Sequence, residues 1–419
     1  MITMLAVAIM AEGASWREEM QTAQRLREAG RNSEAENGFR EAVREAGKLS
    51  PAAPETGVEL NALGEELYLA ARYADAEAVY RLALQAFDRP DSEVSANRAL
   101  TAGNLGVLLR AQGRYEEAGR RLVESVRQLE TLKGPDSLEV ALMTSNLASL
   151  RWSRGELAEA ERLALRADGI FARLPAGESE RGNRQILGSI YIAQHRFSDA
   201  EALFHGLLDG ASERQGASIY SNLTASALGR GGYQEAEEFA LRSVELSRRT
   251  LPPGHPLLAA ALNNLAQALR FEGQYLQAEK RYREALGIWE DAFGPRHPDV
   301  AKGLANLAAF YHERGREAGA EDLYRRAAGI FEQAFGTNDP QTLIARNELG
   351  DVLRAERRFT ESEKLARATL PGLEKAFDPQ DPRWVRALSN YARLLDQTRR
   401  QSEARAVLNR IGQGPASFR

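Results

Sequence analysis

Asparagine returns at a near-constant interval along this chain. A register fixed on Asn264 recurs at positions 62, 104, 146, 186, 222, 264, 306, 348 and 390, and Asn104, Asn146, Asn222, Asn264, Asn306 and Asn390 occupy six of the nine. Asn263 begins a sparser column one residue earlier, matched at Asn61 and Asn347. Six residues past the register stand Arg110, Trp152, Arg270, His312 and Arg354, and Lys302 lies four before Asn306. A carboxamide both donates and accepts, so it can pair with a peptide N–H and C=O whatever side chain the peptide carries. Guanidinium groups favour carboxylates through charge-assisted, often bidentate pairs, and a tryptophan can anchor an apolar side chain. The same amides could equally bond between adjacent structural units, because a buried polar group left unpaired costs about 1–3 kcal/mol. Residue type leaves both roles open.

Catalytic and metal chemistry find no such support. The chain has no cysteine, which excludes disulfides, thiolate metal sites and thiol catalysis. It has no G-x-x-x-x-G-K-[ST] phosphate loop, H-E-x-x-H zinc helix or G-x-S-x-G nucleophile elbow. The five histidines are scattered, with no pair at ligand spacing on one helix, so no metal, cofactor or enzymatic activity is expected. "GRGG" at 229–232 reads as a turn and not as a phosphate cradle.

The elements that carry the columns repeat with them. Register spacings are 42, 42, 40, 36, 42, 42, 42 and 42 residues, and a weaker copy at Gln21 brings the number to ten. Two residues past the register comes a small residue (Gly64, Gly106, Ala148, Gly188, Ala266, Ala308), where two helices can approach closely. Seven further on is usually glycine (Gly113, Gly155, Gly231, Gly273, Gly315), then an aromatic, then commonly Ala-Glu, as at Ala278-Glu279. Apolar residues fall three and four apart around these marks, so each copy is a helix hairpin. Ser95, Ser137, Asp339 and Asp381 are candidate helix N-caps, and proline follows the cap slot at Pro256, Pro298, Pro340 and Pro382. His255 and His297 share that slot and are expected to be structural. Gly134, Gly294 and Gly336 stand where a left-handed C′ residue belongs.

The pattern asparagine, leucine, small residue, then Gly-x-Tyr-x-x-Ala-Glu resembles the tetratricopeptide repeat over about residues 16–411. The 42-residue period and the linker "FGPRHPDV" are similar to the kinesin light chain subclass. The long heptad coiled coil of those light chains is not found here, which favours a scaffold of prokaryotic type over a motor subunit. The resemblance implies an all-α fold, an α–α superhelix (solenoid) of about ten stacked helix-turn-helix repeats whose first helices line a concave groove. It also implies that the register residue, the one before it, and those three and six after it face that groove.

The expected division is an N-terminal array over 16–175, an irregular joint of short repeats over 176–215, a C-terminal array over 216–411 and a frayed tail over 412–419. Residues 1–15, "MITMLAVAIMAEGAS", read as a signal peptide or an N-terminal apolar segment that covers the first repeat. Export to a periplasmic or secreted location is expected over a cytoplasmic one. The composition, 43 % hydrophobic and 27 % charged, leaves ample material for a core. A net charge of −4 gives no excess for gripping nucleic acid phosphates, and no apolar run reaches the roughly 20 residues of a membrane span. The function expected is a non-enzymatic scaffold binding extended, acidic peptide segments of a partner protein in the groove. A ligand-responsive regulatory sensor and a cell-envelope assembly factor are the alternatives, and the oligomeric state is left open.

Overall fold

The computed structural model describes residues 16–26, 32–46, 54–69, 72–87, 92–174, 177–377 and 379–411. Residues 1–15 and 412–419, with the expected export signal and frayed tail, lie outside the described residues. Among those described there are twenty helices and no strand. The chain divides between Ala268 and Leu269 into two compact units.

Unit 1 holds α1 (16–26), α2 (Asn32–Ala46), α3 (Pro54–Leu69), α4 (Tyr73–Ala86), α5 (Ser92–Ala111), α6 (Tyr115–Lys133), α7 (Leu138–Ser153), α8 (Leu157–Phe171), α9 (Glu178–Ala193), α10 (Phe197–Leu208), α11 (Glu213–Gly229) and α12 (Tyr233–Thr250). The division falls inside α13 (Pro256–Phe271). Unit 2 continues through α14 (Tyr275–Phe293), α15 (Pro298–Glu313), α16 (Glu317–Phe335), α17 (Pro340–Ala355), α18 (Phe359–Ala376), α19 (Pro382–Gln397) and α20 (Gln401–Leu408). Odd-numbered helices carry the register residues and even-numbered helices the Ala-Glu pairs, so each repeat is one odd–even pair. The 36-residue spacing from 186 to 222 is short because α10 has only 12 residues.

Hairpins close where the small columns predict. Ala76, Ala118, Ala160, Ala200, Ala236, Ala278 and Ala320 are all fully buried. A Cβ on Gly64 would lie 2.6 Å from the Tyr80 ring, and one on Gly188 would lie 2.5 Å from Phe204. Glycine there lets a bulky second helix press against the first. The leucine after the register (Leu105, Leu223, Leu265, Leu307) is buried in every case, worth about 1.5–3 kcal/mol each.

The turn within each hairpin needs a residue in the left-handed region. Gly113, Gly155, Gly231, Gly273 and Gly315 supply it with φ between 68° and 82°. His195, Arg357 and Arg399 take the same conformation with a Cβ, at φ 60°, 63° and 61°, which costs roughly 1–2 kcal/mol apiece.

Helix ends follow the expected capping with two corrections. Ser137, Asp339 and Asp381 accept from backbone N–H groups of Val140, Gln341 and Arg383. The rings of His255 and His297 accept likewise from Leu257 and Asp299, both at 3.1 Å, so both histidines are caps. Ser95, however, lies inside α5, which starts at Ser92 and runs 20 residues instead of the 16 of α7 or α15. Gly134, Gly294 and Gly336 have positive φ but ψ of 155–167°, an extended left-handed conformation open essentially to glycine alone. They stand at the C-cap itself and turn the chain out of the helix, where the sequence pattern suggested a helical left-handed residue one position later.

The Glu of the Ala-Glu pair also gains a role. Arg196 donates to Glu161, Arg230 to Glu201, Arg316 to Glu279, Arg358 to Glu321 and Arg400 to Glu363, each at 2.8 Å. Each arginine lies at the turn of the repeat following its glutamate, so at these five junctions an ion pair ties one repeat to the next. These pairs are partly exposed, and each is worth about 0–1 kcal/mol.

Candidate functional site

The amide column is built by the packing of one first helix on the next. Asn104 Nδ2 donates to Asn61 Oδ1 at 3.2 Å and Glu65 Oε1 at 2.8 Å. Asn264 Nδ2 donates to the Ser221 carbonyl and hydroxyl, both at 3.1 Å, and Asn390 Nδ2 to Asn347 Oδ1 at 3.0 Å. In all three the acceptor residue includes the position just before the register in the preceding repeat. In two other repeats the amide is left over. Asn146 faces a repeat with Gly103 there, which has no side chain, and Asn222 one with Gln185, whose Oε1 takes the Ser218 hydroxyl at 2.9 Å. Neither Asn146 nor Asn222 makes a hydrogen bond among the described residues, and both are half-buried. Asn263 is buried, and Asn263 and Asn306 both have partners of their own.

The cationic column divides by unit. In unit 1, Arg110 is half-buried with no hydrogen bond or ion pair among the described residues, and Trp152 is 36 % exposed. In unit 2, Arg270 is only 13 % exposed and grips Glu313 with two nitrogens. Arg354 Nε donates to Asp351 at 2.6 Å, and Lys302 Nζ donates to Asp299 at 2.9 Å. His312 lies between two carboxylates, Nδ1 at 2.5 Å from Glu317 and Nε2 at 3.1 Å from Asp351. Its bond to Asp351, aided by Glu317 and opposed by burial, raises its pKa above the ordinary histidine value. Burial alone would raise the pKa of Asp351, but bonds from His312 and Arg354 and the charge of Arg393 hold it at about 2.

Unit 2 also contains a cavity of about 400 Å³ on the face of α15, α17 and α19. Lys302 and Asn306 border it from the expected columns. Asn347, from the sparser column, and Gln341 also line it, and its remaining charged groups, Glu348, Arg383 and Arg386, were not among the sequence candidates. Glu348 occupies the register position itself, and its departure from asparagine was the available signal. Ala305, Ala309, Ile344 and Tyr324 provide apolar wall, with Phe331 and Leu373 from the second helices. The size lies in the ordinary range for small-ligand pockets, roughly 300–1,000 Å³. No group of acidic and histidine residues among those described could hold a metal ion, and no described helix is long and apolar enough to cross a membrane.

Stacked helix hairpins with an amide column on the first helices define an α–α repeat solenoid. The family profile for the tetratricopeptide repeat matches residues 97–167, 215–291, 257–333 and 299–375, more than half of the sequence, and the chain belongs to that family. No curated protein sequence matches it. Among solved structures it is similar to the anaphase-promoting-complex hetero-tetramer Cut9–Hcn1, at 14 % identity over 95 % of this chain and 74 % of that one, TM-score 0.57. A Rap protein complexed with competence and sporulation factor is 14 % identical over 84 % of this chain and 99 % of that one, TM-score 0.55. The apo quorum sensor NprR of B. thuringiensis is 13 % identical over 85 % and 98 %, TM-score 0.55. At these identities the likeness is one of fold.

Proposed function

We propose that the chain is a non-enzymatic interaction scaffold that receives an extended segment of a partner protein along its first helices, seating one side chain in the unit 2 cavity. The observation that carries this reading is the cavity itself, with apolar walls and Asn306, Glu348 and Arg386 at its edges. In unit 1, the uncompensated Arg110, the unbonded Asn146 and Asn222 and the exposed Trp152 suit an acidic segment with an aromatic anchor. The 42-residue period supports placing the chain in the kinesin light chain-like branch of the family. A second reading, a peptide-responsive sensor, is favoured by the fold shared with a Rap protein complexed with a factor.

The test is selection of nine-residue peptides from a random library on the full chain and on Ala309→Trp, which fills the cavity from a half-buried wall position. Dissociation constants near micromolar are expected for the intact chain, about −8 kcal/mol. The filled variant should lose at least about tenfold. Equal binding by both would remove the cavity from the account. A sensor would further change its protein partner when the peptide is added, whereas a scaffold would keep it.

A further inference from the structure

Two carboxylates stand three residues apart on α17 and are very differently supplied with donors. Asp351, its side chain 5 % exposed, receives His312 Nε2 and Arg393 at 3.1 Å and Arg354 Nε at 2.6 Å. Glu348 is also buried, though less completely, with its side chain 11 % exposed, and it borders the cavity. Its Oε1 lies 3.0 Å from Arg386 Nε, and its Oε2 has no hydrogen-bond partner among the described residues. Burial pushes its pKa up, opposed by Arg386, His312 and Arg393, while Asp351 adds to the rise. Tyr324 on α16 also faces it. Neither Glu348 oxygen is among the described buried polar atoms left without a partner, so the open oxygen is reachable from the cavity and can accept from an arriving donor.

The cavity's other charges have no such deficit. Lys302 is bonded to Asp299, and Arg383 to Asp381, with the Arg383 guanidinium 4.0 Å over the Phe377 ring. What remains is an apolar-walled cavity with one under-supplied acid. That arrangement fits a long methylene stem ending in a cation. Arg386 does not forbid a second cation: it is 58 % exposed, and Asp351, on the same helix as Glu348, gathers three donors from α15, α17 and α19.

We propose that the unit 2 cavity takes a lysine side chain of the docked segment, its ammonium donating to Glu348 Oε2 and its stem lying along Ala305, Ala309 and Ile344. This rests on the docking reading above and specifies its charge preference in this unit. The test uses the full chain and three capped nine-residue peptides of alanine and serine, identical except for lysine, norleucine or glutamate at the centre. The lysine peptide should bind about tenfold more tightly than the norleucine peptide, and the glutamate peptide more weakly than either. The isosteric Glu348→Gln variant should keep norleucine binding and reduce the lysine preference to less than about threefold. Carbon-detected NMR should show the Glu348 pKa falling when the lysine peptide is added. If norleucine binds as tightly as lysine, or Glu348→Gln preserves the preference, the lysine assignment is wrong while the docking reading stands. If none of the peptides binds the intact chain better than Ala309→Trp, the docking reading itself fails and the assignment falls with it.

Discussion

Arg110 in unit 1 and Arg270 in unit 2 hold the same place in the repeat, six residues past an asparagine. Arg270 grips Glu313, whereas Arg110 has no carboxylate among the described residues. The difference lies one repeat further on. Glu313 stands seven residues past its register residue, where the repeat after Arg110 has Ser153. Asp351 stands three past its own, where that repeat has Ser149. The charge of a lining cation is therefore decided by its neighbour. Unit 2 neutralises its column from within and leaves one under-supplied acid, Glu348, at the cavity, while in unit 1 one cation and two amides have no side-chain partner among the described residues.

The contrast can be broken by mutation. Asp351→Ala, which takes from Arg354 its carboxylate and from His312 and Arg393 one of their two partners, should destabilise unit 2 by about 3–5 kcal/mol. Ser149→Ala at the matching place in unit 1 should cost less than about 1 kcal/mol. Urea unfolding followed by circular dichroism, with hydrogen exchange to assign each unit, checks both. Arg270→Ala should cost roughly 2 kcal/mol through lost packing and a lost bidentate pair, against less than about 0.5 kcal/mol for Arg110→Ala. Equal costs would mean that the two arginines are equivalent after all.

Two smaller effects sharpen the picture. Arg357→Gly and Arg399→Gly should each stabilise unit 2 by about 1 kcal/mol by relieving the left-handed conformation, whereas Gly113→Ala and Gly155→Ala should destabilise unit 1 by a similar amount. His312 should make unit 2 sensitive to pH. Its folded pKa is raised, so its contribution is complete below the unfolded value of about 6.5 and is lost as pH rises through the folded one. Stability measured from pH 6 to 9 should fall in the wild type and flatten in His312→Gln.

The hairpins were legible because their signals are local. A small residue, a turn glycine, an aromatic and Ala-Glu each act within one hairpin, and the structure puts each in the role its chemistry suggests. Pairing between repeats was harder to read. Arg270–Glu313 and His312–Asp351 join residues 43 and 39 apart, and only the stacking of successive first helices brings those positions together. Asn104, Asn264 and Asn390 bond to the neighbouring repeat for the same reason. Gly134 shows the limit in one residue: its need for positive φ is written in its type, but its ψ of 155° depends on where the next repeat begins.

The most direct test of the scaffold reading is site-specific photo-crosslinking in the producing cell. A benzoylphenylalanine at Ala305, on the cavity wall, is compared with one at Leu165, which is 47 % exposed on the second helix α8. The account predicts that the Ala305 probe captures one contiguous segment of a partner protein, identified by mass spectrometry, and that Ala309→Trp abolishes the capture. Capture of the same segment with equal yield from Leu165, or capture from Ala305 that survives Ala309→Trp, would contradict it.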